Sequence, residues 1–553
     1  MKVDKKDFIF LPLGGSSEIG MNANLYHYKG GWILVDLGVS FADETMPGVD
    51  IILPDIEYIK NNIDNLLGIF LTHGHEDHMG AVQYLWNELK APIFGSAFTI
   101  SLLKKKLKES GILSQVTLKT IKHNEKVSMS PFEITPIKLT HSIPDPFSFI
   151  ISTIEGDVFH SGDWKFDTDP QIGEKVNVND LKRIGEKGLL ALVGDSTNAM
   201  INGKTESEKV AFDGIKDQIM KAKGRVFITC FSSNLARIKS IIMSAKECNK
   251  KVSLVGRSIQ RVVDVGFELG YLDGLPEIYS LKDIQKYNHM DSVIIVAGSQ
   301  GEVRSSLTRI ANGDHGQIRV KPKDTVIFSS SKIPGNELAI ERVQDSFLRK
   351  DVKVITDEDA KVHVSGHPSI EDLKSMYNFL KPQISVPVHG TSRHISSHSK
   401  LAKSFGVSVN VVPENGSVVK LSGNAPGIIG QIKTSALIPD GNQIVNSDSN
   451  IFSLRKKMLW NGHVSSVIIF DNNCDLNLPI RLTQKGLLEN GQEIDWFNEV
   501  EEEIIENIES LSINQRKEDF KVEETVISSI RTVTKVLLDR RPVINVHIIR
   551  NNR

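Results

Sequence analysis

The first third of the chain alternates short apolar runs with Gly-rich and polar turns, a pattern that predicts strands. Phe8–Leu13 ends at Gly14-Gly15, Trp32–Asp36 at Leu37-Gly38, and Leu67–Thr72 at His73-Gly74. Phe132–Leu139, Phe147–Thr153 and Val158-Phe159 continue the series. Several of these strands stop at a residue able to do chemistry, as in layered α/β proteins, where sites gather at strand ends.

From about Thr205 the apolar spacing becomes helical between strands. Helices are expected over Glu206–Lys223, Leu235–Asn249 and Ser258–Leu269, and strands over Arg225–Phe231 and Val252–Gly256. Asp324–Ser329, Asn336–Lys350 and Val352–Ile355 extend the alternation. Lys361–Val364, Ser369–Leu380, Ile384–Val388 and His394–Phe405 repeat it once more. Strand–helix alternation of this kind builds a parallel sheet with helices packed on it. Gly423 to Asn450, rich in Gly, Pro, Ser and Asn, reads as a connector. Val464–Phe470, the acidic helix Trp496–Leu511, the helix Glu523–Leu538 and the strand Val543–Ile549 then suggest a small α/β unit.

Length and charge sharpen this picture. At about 100–200 residues per domain, 553 residues make three or four units. A net charge of −2 supplies no global basic field, so any grip on a polyanion must be local. Cys230, Cys248 and Cys474 have neither metal-knuckle nor disulfide-framework spacing, which fits a reducing compartment. The charged stretch Met1–Asp7 leads into a strand rather than a signal segment, and no apolar run approaches the ~20 residues of a membrane span. The expected address is the cytoplasm.

The strongest chemical signal is His73-Gly74-His75-Glu76-Asp77-His78, between an apolar strand and a helical run from Met79. Two imidazoles two residues apart can converge on one ion, while Asp77 and His78 can serve a second. Such N/O donors suit zinc or another borderline divalent metal. Further candidates sit at strand ends: His141, Asp163 and His389. A carboxylate between two cations is a natural bridge, a role that suits Asp163.

The H-x-H-x-D-H loop, with Asp36 before it and His141 and Asp163 after it, resembles the metallo-β-lactamase superfamily. Gly194-Asp195-Ser196-Thr197-Asn198, Val364-Ser365-Gly366-His367 and Val388-His389-Gly390 resemble, in order, three motifs of its β-CASP nuclease branch. Leu11-Pro12-Leu13-Gly14-Gly15, Gly298-Ser299-Gln300-Gly301-Glu302 and Ile333-Pro334-Gly335-Asn336-Glu337 are further shared landmarks, and within the branch the ribonuclease J family is the most similar. The resemblance is dense from Phe8 to Val412 and thinner beyond.

It implies a four-layer αββα metallo-β-lactamase domain, interrupted by a βα β-CASP domain and followed by a small C-terminal α/β domain. The expected spans are 1–205 and 357–422 for the first, 206–356 for the insertion, 423–455 for a linker and 456–553 for the last. It implies that His73, His75 and His141 hold one metal, and Asp77, His78 and His389 the other, with Asp163 bridging. Asp36 would stand behind the ligands and orient them. The cofactors would be two divalent ions, Zn2+ first, with Mn2+ or Mg2+ also compatible. The family usually has Glu after His389-Gly390; here Thr391 stands, which puts one supporting contact in doubt.

The implied activity is cleavage of single-stranded RNA, 5′→3′ from monophosphate ends and also internally, in RNA processing and decay. Two 2+ ions less Asp77, Asp163 and a hydroxide leave about +1, complementary to a phosphodiester attacked in line by that hydroxide. Asp195 and His367 are the expected acid/base dyad. Ser232, Ser233 and Asn234, facing His363, Val364, Ser365, Gly366 and His367, are expected to hold substrate phosphate, with Arg237 either joining them or lying on a solvated helix face. The basic run Lys104-Lys105-Lys106 and Lys108 reads mainly as solvated surface. Met46-Pro47-Gly48-Val49-Asp50 resembles a family loop that binds an extra structural cation, with Asp448 completing Gly48 and Asp50. A homodimer or homotetramer is implied. The competing readings are a hydrolase of thioesters or lactams on the same scaffold, and a non-catalytic RNA-processing subunit. The inserted block argues against the former, and the full ligand set against the latter.

Overall fold

The computed structural model describes residues 4–42, 46–489 and 491–550, so Met1, Lys2 and Val3 of the charged N-terminus lie outside it. The chain divides into two compact units, Met1–Phe41 with Ile51–Pro439, and Ala42–Asp50 with Asp440–Arg553.

The larger unit contains two stacked sheets whose central strands are buried on both faces. In Ile9–Gly14, alternate side chains point to opposite sides of the sheet. Phe10 enters an aromatic-rich layer with Tyr26, Phe70, Phe149 and Val193, whereas Ile9, Leu11 and Leu13 pack outward with Leu85 and Leu103. The first sheet has eight strands, in the order Gly427–Gln431, Ser417–Lys420, Ile9–Gly14, Ala23–Tyr28, Gly31–Val35, Leu66–Phe70, Ile93–Gly95 and Leu118–Thr120. The second has seven: Val127–Met129, Phe132–Lys138, Phe147–Thr153, Gly156–His160, Ala191–Asp195, Ile384–Val388 and Val409–Asn410. The layer around Phe10 and Phe149 is the interface between the sheets. Helices Val82–Leu89 and Ala97–Glu109 cover the outer face of the first. Val178–Glu186, Ile370–Leu380 and Ser392–Ser404 cover that of the second. The result is the expected αββα sandwich.

Between Asp195 and the return at Ile370 lies a six-stranded, all-parallel sheet. Its order is Ile278–Tyr279, Lys251–Val255, Ser292–Val296, Val226–Thr229, Thr325–Phe328 and Lys353–Ile355. Helices such as Leu235–Glu247 and Glu337–Leu348 bury its two faces. Parallel strands covered on both sides read as continuous apolar runs, which made them legible.

Two readings differ. Lys361–Val364 is not a strand: the Val362 and Val364 carbonyls accept bonds from the Arg237 guanidinium at 3.3 Å instead of from a neighbouring strand. The stretch from Gly423 is not a loose connector either. Gly427–Gln431 pairs antiparallel with Ser417–Lys420 and extends the first sheet, and Ala436–Asp440 pairs with Ile51–Pro54. Gly427–Gln431 is the margin of its sheet, with exposed Ile428 and Ile429, and there the apolar signal fades.

The smaller unit has a three-stranded sheet ordered Arg481–Lys485, His463–Phe470, Val543–Arg550. Helices Ile494–Glu509 and Asp519–Leu538 close its core around Trp496, Val500 and Val526. Val543–Arg550 runs parallel to His463–Phe470 and forms one margin of this sheet. Among the described residues, no helix is long and apolar enough to cross a membrane.

Candidate metal centre

Each donor is delivered by the end of a strand. Gly31–Val35 delivers Asp36, Leu66–Phe70 leads to His73 and His75, and the short helix Glu76–Met79 carries Asp77 and His78. Phe132–Lys138 leads to His141, Gly156–His160 to Asp163, and Ile384–Val388 to His389. Asp36 (φ 64°) and His389 (φ 51°) are left-handed non-glycine residues at these ends, a cost that the surrounding structure must impose. The His389 N–H donates to the Gly15 carbonyl at 2.6 Å, fixing that turn. At Gly38 a Cβ would fall 1.7 Å from the Asp77 carbonyl oxygen, so only glycine lets the Asp77–His78 turn approach.

Among the described residues the side chains form two groups sharing the Asp163 carboxylate, and a third set, Asp163, Asp195, His367 and His389, overlaps them. His73 Nε2 lies 2.9 Å from His75 Nδ1, which lies 3.2 Å from His141 Nε2. Asp163 Oδ2 is 3.8 Å from both His73 Nε2 and His141 Nε2. In the other group, Asp163 Oδ2 is 3.2 Å from His78 Nε2, and Asp77 Oδ2 is 3.5 Å from His78 Nε2 and 3.3 Å from His389 Nε2. In each group the ligand atoms lie within 4.8 Å of one another.

These residues fit divalent cations. Three imidazole nitrogens converge where protons shared among them cannot satisfy every lone pair, and buried Asp163 Oδ1 makes no hydrogen bond, with His389 Nδ1 as an ion-pair neighbour at 3.2 Å. Burial holds His73 and His141 well below the ordinary imidazole range and His75 at about 4, so all three present lone pairs at neutral pH. Burial would also lower His78 and His389, but the surrounding carboxylates outweigh it. Asp163, Asp77 and Asp36 raise His78 well above its usual value, and Asp163, Asp195 and Asp77 raise His389 to about 10. A cluster so acidic calls for positive charge.

Behind the ligands, Asp36 Oδ2 takes His78 Nδ1 at 2.7 Å, and its Oδ1 accepts the Thr72 N–H at 2.7 Å. Thr72 Oγ1 also lies 3.0 Å from His73 Nδ1. Asp36 thus orients the His78 ring. Thr72 was not singled out, because a threonine ending a strand carries no distinguishing pattern.

Asp195 Oδ2 accepts from His367 Nδ1 at 2.8 Å, while its Oδ1 takes the Thr197 N–H and hydroxyl at 2.9 and 2.7 Å. The Gly366 carbonyl is 2.7 Å from His141 Nδ1, joining the His367 loop to the first ligand group. Asn198 Nδ2 reaches Ser365 Oγ at 2.8 Å and the His367 carbonyl at 3.2 Å, so Ser365 braces the loop.

The phosphate-side residues are partly committed elsewhere. Asn234 Oδ1 caps the helix Leu235–Glu247 by accepting the Arg237 N–H at 2.8 Å, and Ser258 Oγ donates to Ser232 Oγ at 2.9 Å. Ser233 is half-buried at the same turn, and Val364 is buried with its carbonyl on Arg237. Arg237 lies neither on a solvated face nor in contact with solvent phosphate; it is fully buried. The lysine run is likewise not all solvated: Lys106 is buried and paired with Glu76, and Lys105 bonds Glu268 at 2.6 Å. Thr391, in place of the family's Glu, caps the helix Ser392–Ser404 in a capping box with His394. Gly48, Asp50 and Asp448 are not among the converging metal-donor groups of the described residues.

An αββα sandwich with paired His/Asp groups at the strand ends defines a metallo-hydrolase of the metallo-β-lactamase superfamily, whose family description matches residues 20–210. Residues 223–347 match the ribonuclease J β-CASP domain, 353–413 a Zn-dependent metallo-hydrolase RNA specificity domain, and 452–551 the ribonuclease J C-terminal domain. The chain belongs to the ribonuclease J family. It is 35% identical to ribonuclease J of Sinorhizobium meliloti over 98% of this chain and 97% of that one. It is 34% identical to ribonuclease J2 of Bacillus subtilis, covering 85% of each. A solved structure of a protein of unknown function from Enterococcus faecalis V583 shares the fold, with a TM-score of 0.52 at 16% identity over 75% of this chain and all of that one.

Proposed function

We propose that this metal-dependent nuclease degrades and processes single-stranded RNA in the cytoplasm, 5′→3′ from monophosphate ends and also by internal cuts. The observation that carries the reading is the sharing of Asp163 between two donor groups, with the Asp195–His367 pair beside them. In this reading His73, His75 and His141 hold one ion, Asp77, His78 and His389 the other, and Asp163 bridges. Two divalent ions there, Zn2+ or Mn2+, would supply an activated water and positive charge for a phosphodiester.

The chain's own residues do the rest. Asp36 and Thr72 fix the ligand rings. Asp195 holds His367 by Nδ1, leaving Nε2 free to give a proton to the departing 3′-oxygen. Burial opposes a charge on His367, yet Asp195 and then Asp163 outweigh it and raise its pKa. Of the two, Asp195 still favours the acid form of His367 when Asp163 is bound to the ions, and that is the form a general acid needs. Ser232, Ser233, the free amide of Asn234 and the His363–Gly366 segment receive the 5′-phosphate. By resemblance, Gly48, Asp50 and Asp448 bind an extra structural cation. The domain spans 1–205 with 357–422, 206–356 and 456–553, and assembly as a homodimer or homotetramer, belong to the same reading.

One RNA bearing either a 5′-monophosphate or a 5′-triphosphate tests it. Early mononucleotide release from the monophosphate form alone supports the end pocket and exonuclease action. Equal release from both forms rejects the end preference.

A further inference from the structure

The proposed phosphate pocket has two walls from distant parts of the chain: the turn Ser232-Ser233 before the helix Leu235–Glu247, and the return segment from His363 to His367. One side chain ties them together. Arg237, in the first turn of that helix and wholly buried, grips Glu208 through Nε at 2.5 Å and Nη2 at 3.0 Å. Its Nη1 faces the Ser329 carbonyl at 2.9 Å, Ser329 Oγ at 2.7 Å, the Val362 carbonyl at 3.3 Å and His363 Nδ1 at 3.1 Å. Nη2 also reaches the Val364 carbonyl at 3.3 Å.

A guanidinium has five donors, no acceptor and a permanent charge. Nη1 has two hydrogens for these four acceptors; where His363 Nδ1 takes one of them it offers a lone pair, and the ring proton then sits on Nε2. Burial, the Arg237 charge and Lys165 hold the imidazole well below its ordinary range; the Ser329 carbonyl alone pulls the other way. His363 is half-buried, and its Nε2 bonds to none of the described residues.

We infer that Arg237 is a positioning residue for 5′-phosphate recognition: it locks the return segment to the Ser232-Ser233 turn and fixes His363 as an uncharged Nε2–H donor. This rests on the reading that a 5′-phosphate binds between those walls. A neutral donor selects the phosphate by geometry and binds it less tightly than a cation would, which suits an end that must be released and re-seated after each cut.

The full-length protein labelled with 15N-histidine tests this directly, with His363 signals assigned by their loss in His363→Gln. A neutral Nε2–H tautomer persisting from neutral pH to about pH 6 is the expected result. An Nδ1–H tautomer bonded to Ser329, or an imidazolium in that range, overturns the proposal. This arm needs no RNA, so it stands apart from the functional reading. Arg237→Lys keeps a charge beside Glu208 but cannot reproduce the fork. Its preference for 5′-monophosphate over 5′-hydroxyl RNA should fall about tenfold. Equal losses on both substrates, leaving the ratio unchanged, reduce Arg237 to a packing role and reject the inference. No preference in the unsubstituted protein defeats the end-pocket reading instead. If Arg237→Lys does not fold, the tautomer decides alone.

Discussion

Asp195 Oδ2 and His367 Nδ1 meet at 2.8 Å although 172 residues separate them in the chain. The strand Ala191–Asp195 lies directly beside Ile384–Val388, and the whole β-CASP insertion leaves and returns between them. Asp195 is therefore anchored in the first domain, while His367 sits on the segment that re-enters it. Any displacement of the insertion pulls on this pair.

Removing the imidazole should affect chemistry more than binding. His367→Ala is expected to lower single-turnover cleavage by about 10²–10⁴-fold, with RNA affinity nearly unchanged. Filter binding and rapid-quench kinetics on one RNA measure both; a loss of affinity matching the loss of rate would contradict the acid role.

The pH profile should follow from the same contact. Asp195 raises His367, so the acid form survives past the usual imidazole value and the rate falls only as pH climbs through the raised one. Asp195→Asn removes the main raising charge, and the alkaline limb should move to lower pH. A limb that stays in place assigns it to another group.

Gly366 has no room for a side chain. A Cβ there would lie 2.6 Å from His141 Cε1 and 2.7 Å from Nδ1. Gly366→Ala should displace the His141 ring, lowering bound metal and reducing activity by at least about tenfold. Full metal content together with full activity would show that the loop yields instead.

His398 offers a stability test away from the metals. Its Nδ1 meets Ser196 Oγ at 2.9 Å and its Nε2 meets Tyr377 OH at 3.0 Å, and burial lowers it from 6.5 to about 4. The unfolded chain binds this proton more readily, so the contribution is complete above pH 6.5 and shrinks as pH falls toward 4. The drop is about 3 kcal/mol. In metal-free protein, His398→Gln should flatten the denaturation midpoint across that window, and an unchanged slope would contradict the assignment.

The αββα layers and the parallel insertion were legible because doubly buried strands write long apolar runs, and the His73–His78 loop because its donors crowd into six residues. His141, Asp163 and His389 stood out only beside that loop, since each alone is an ordinary polar strand end, and their division between two ions came from the family resemblance. Arg237 was misread: a single arginine near a helix start looks the same whether it meets solvent or the Glu208 carboxylate and three distant carbonyls. Lys106 hid for the same reason, its burial depending on Glu76 from another element. The strand Gly427–Gln431 was masked by glycine and polar residues at a sheet margin.

Metal stoichiometry is the decisive measurement. Elemental analysis of the purified protein, of His73→Ala and of His389→Ala should give about two divalent ions per chain for the first and about one for each variant, with activity lost in both variants and abolished by chelation. A single ion in the unsubstituted protein, unaffected by His389→Ala, would contradict the paired site.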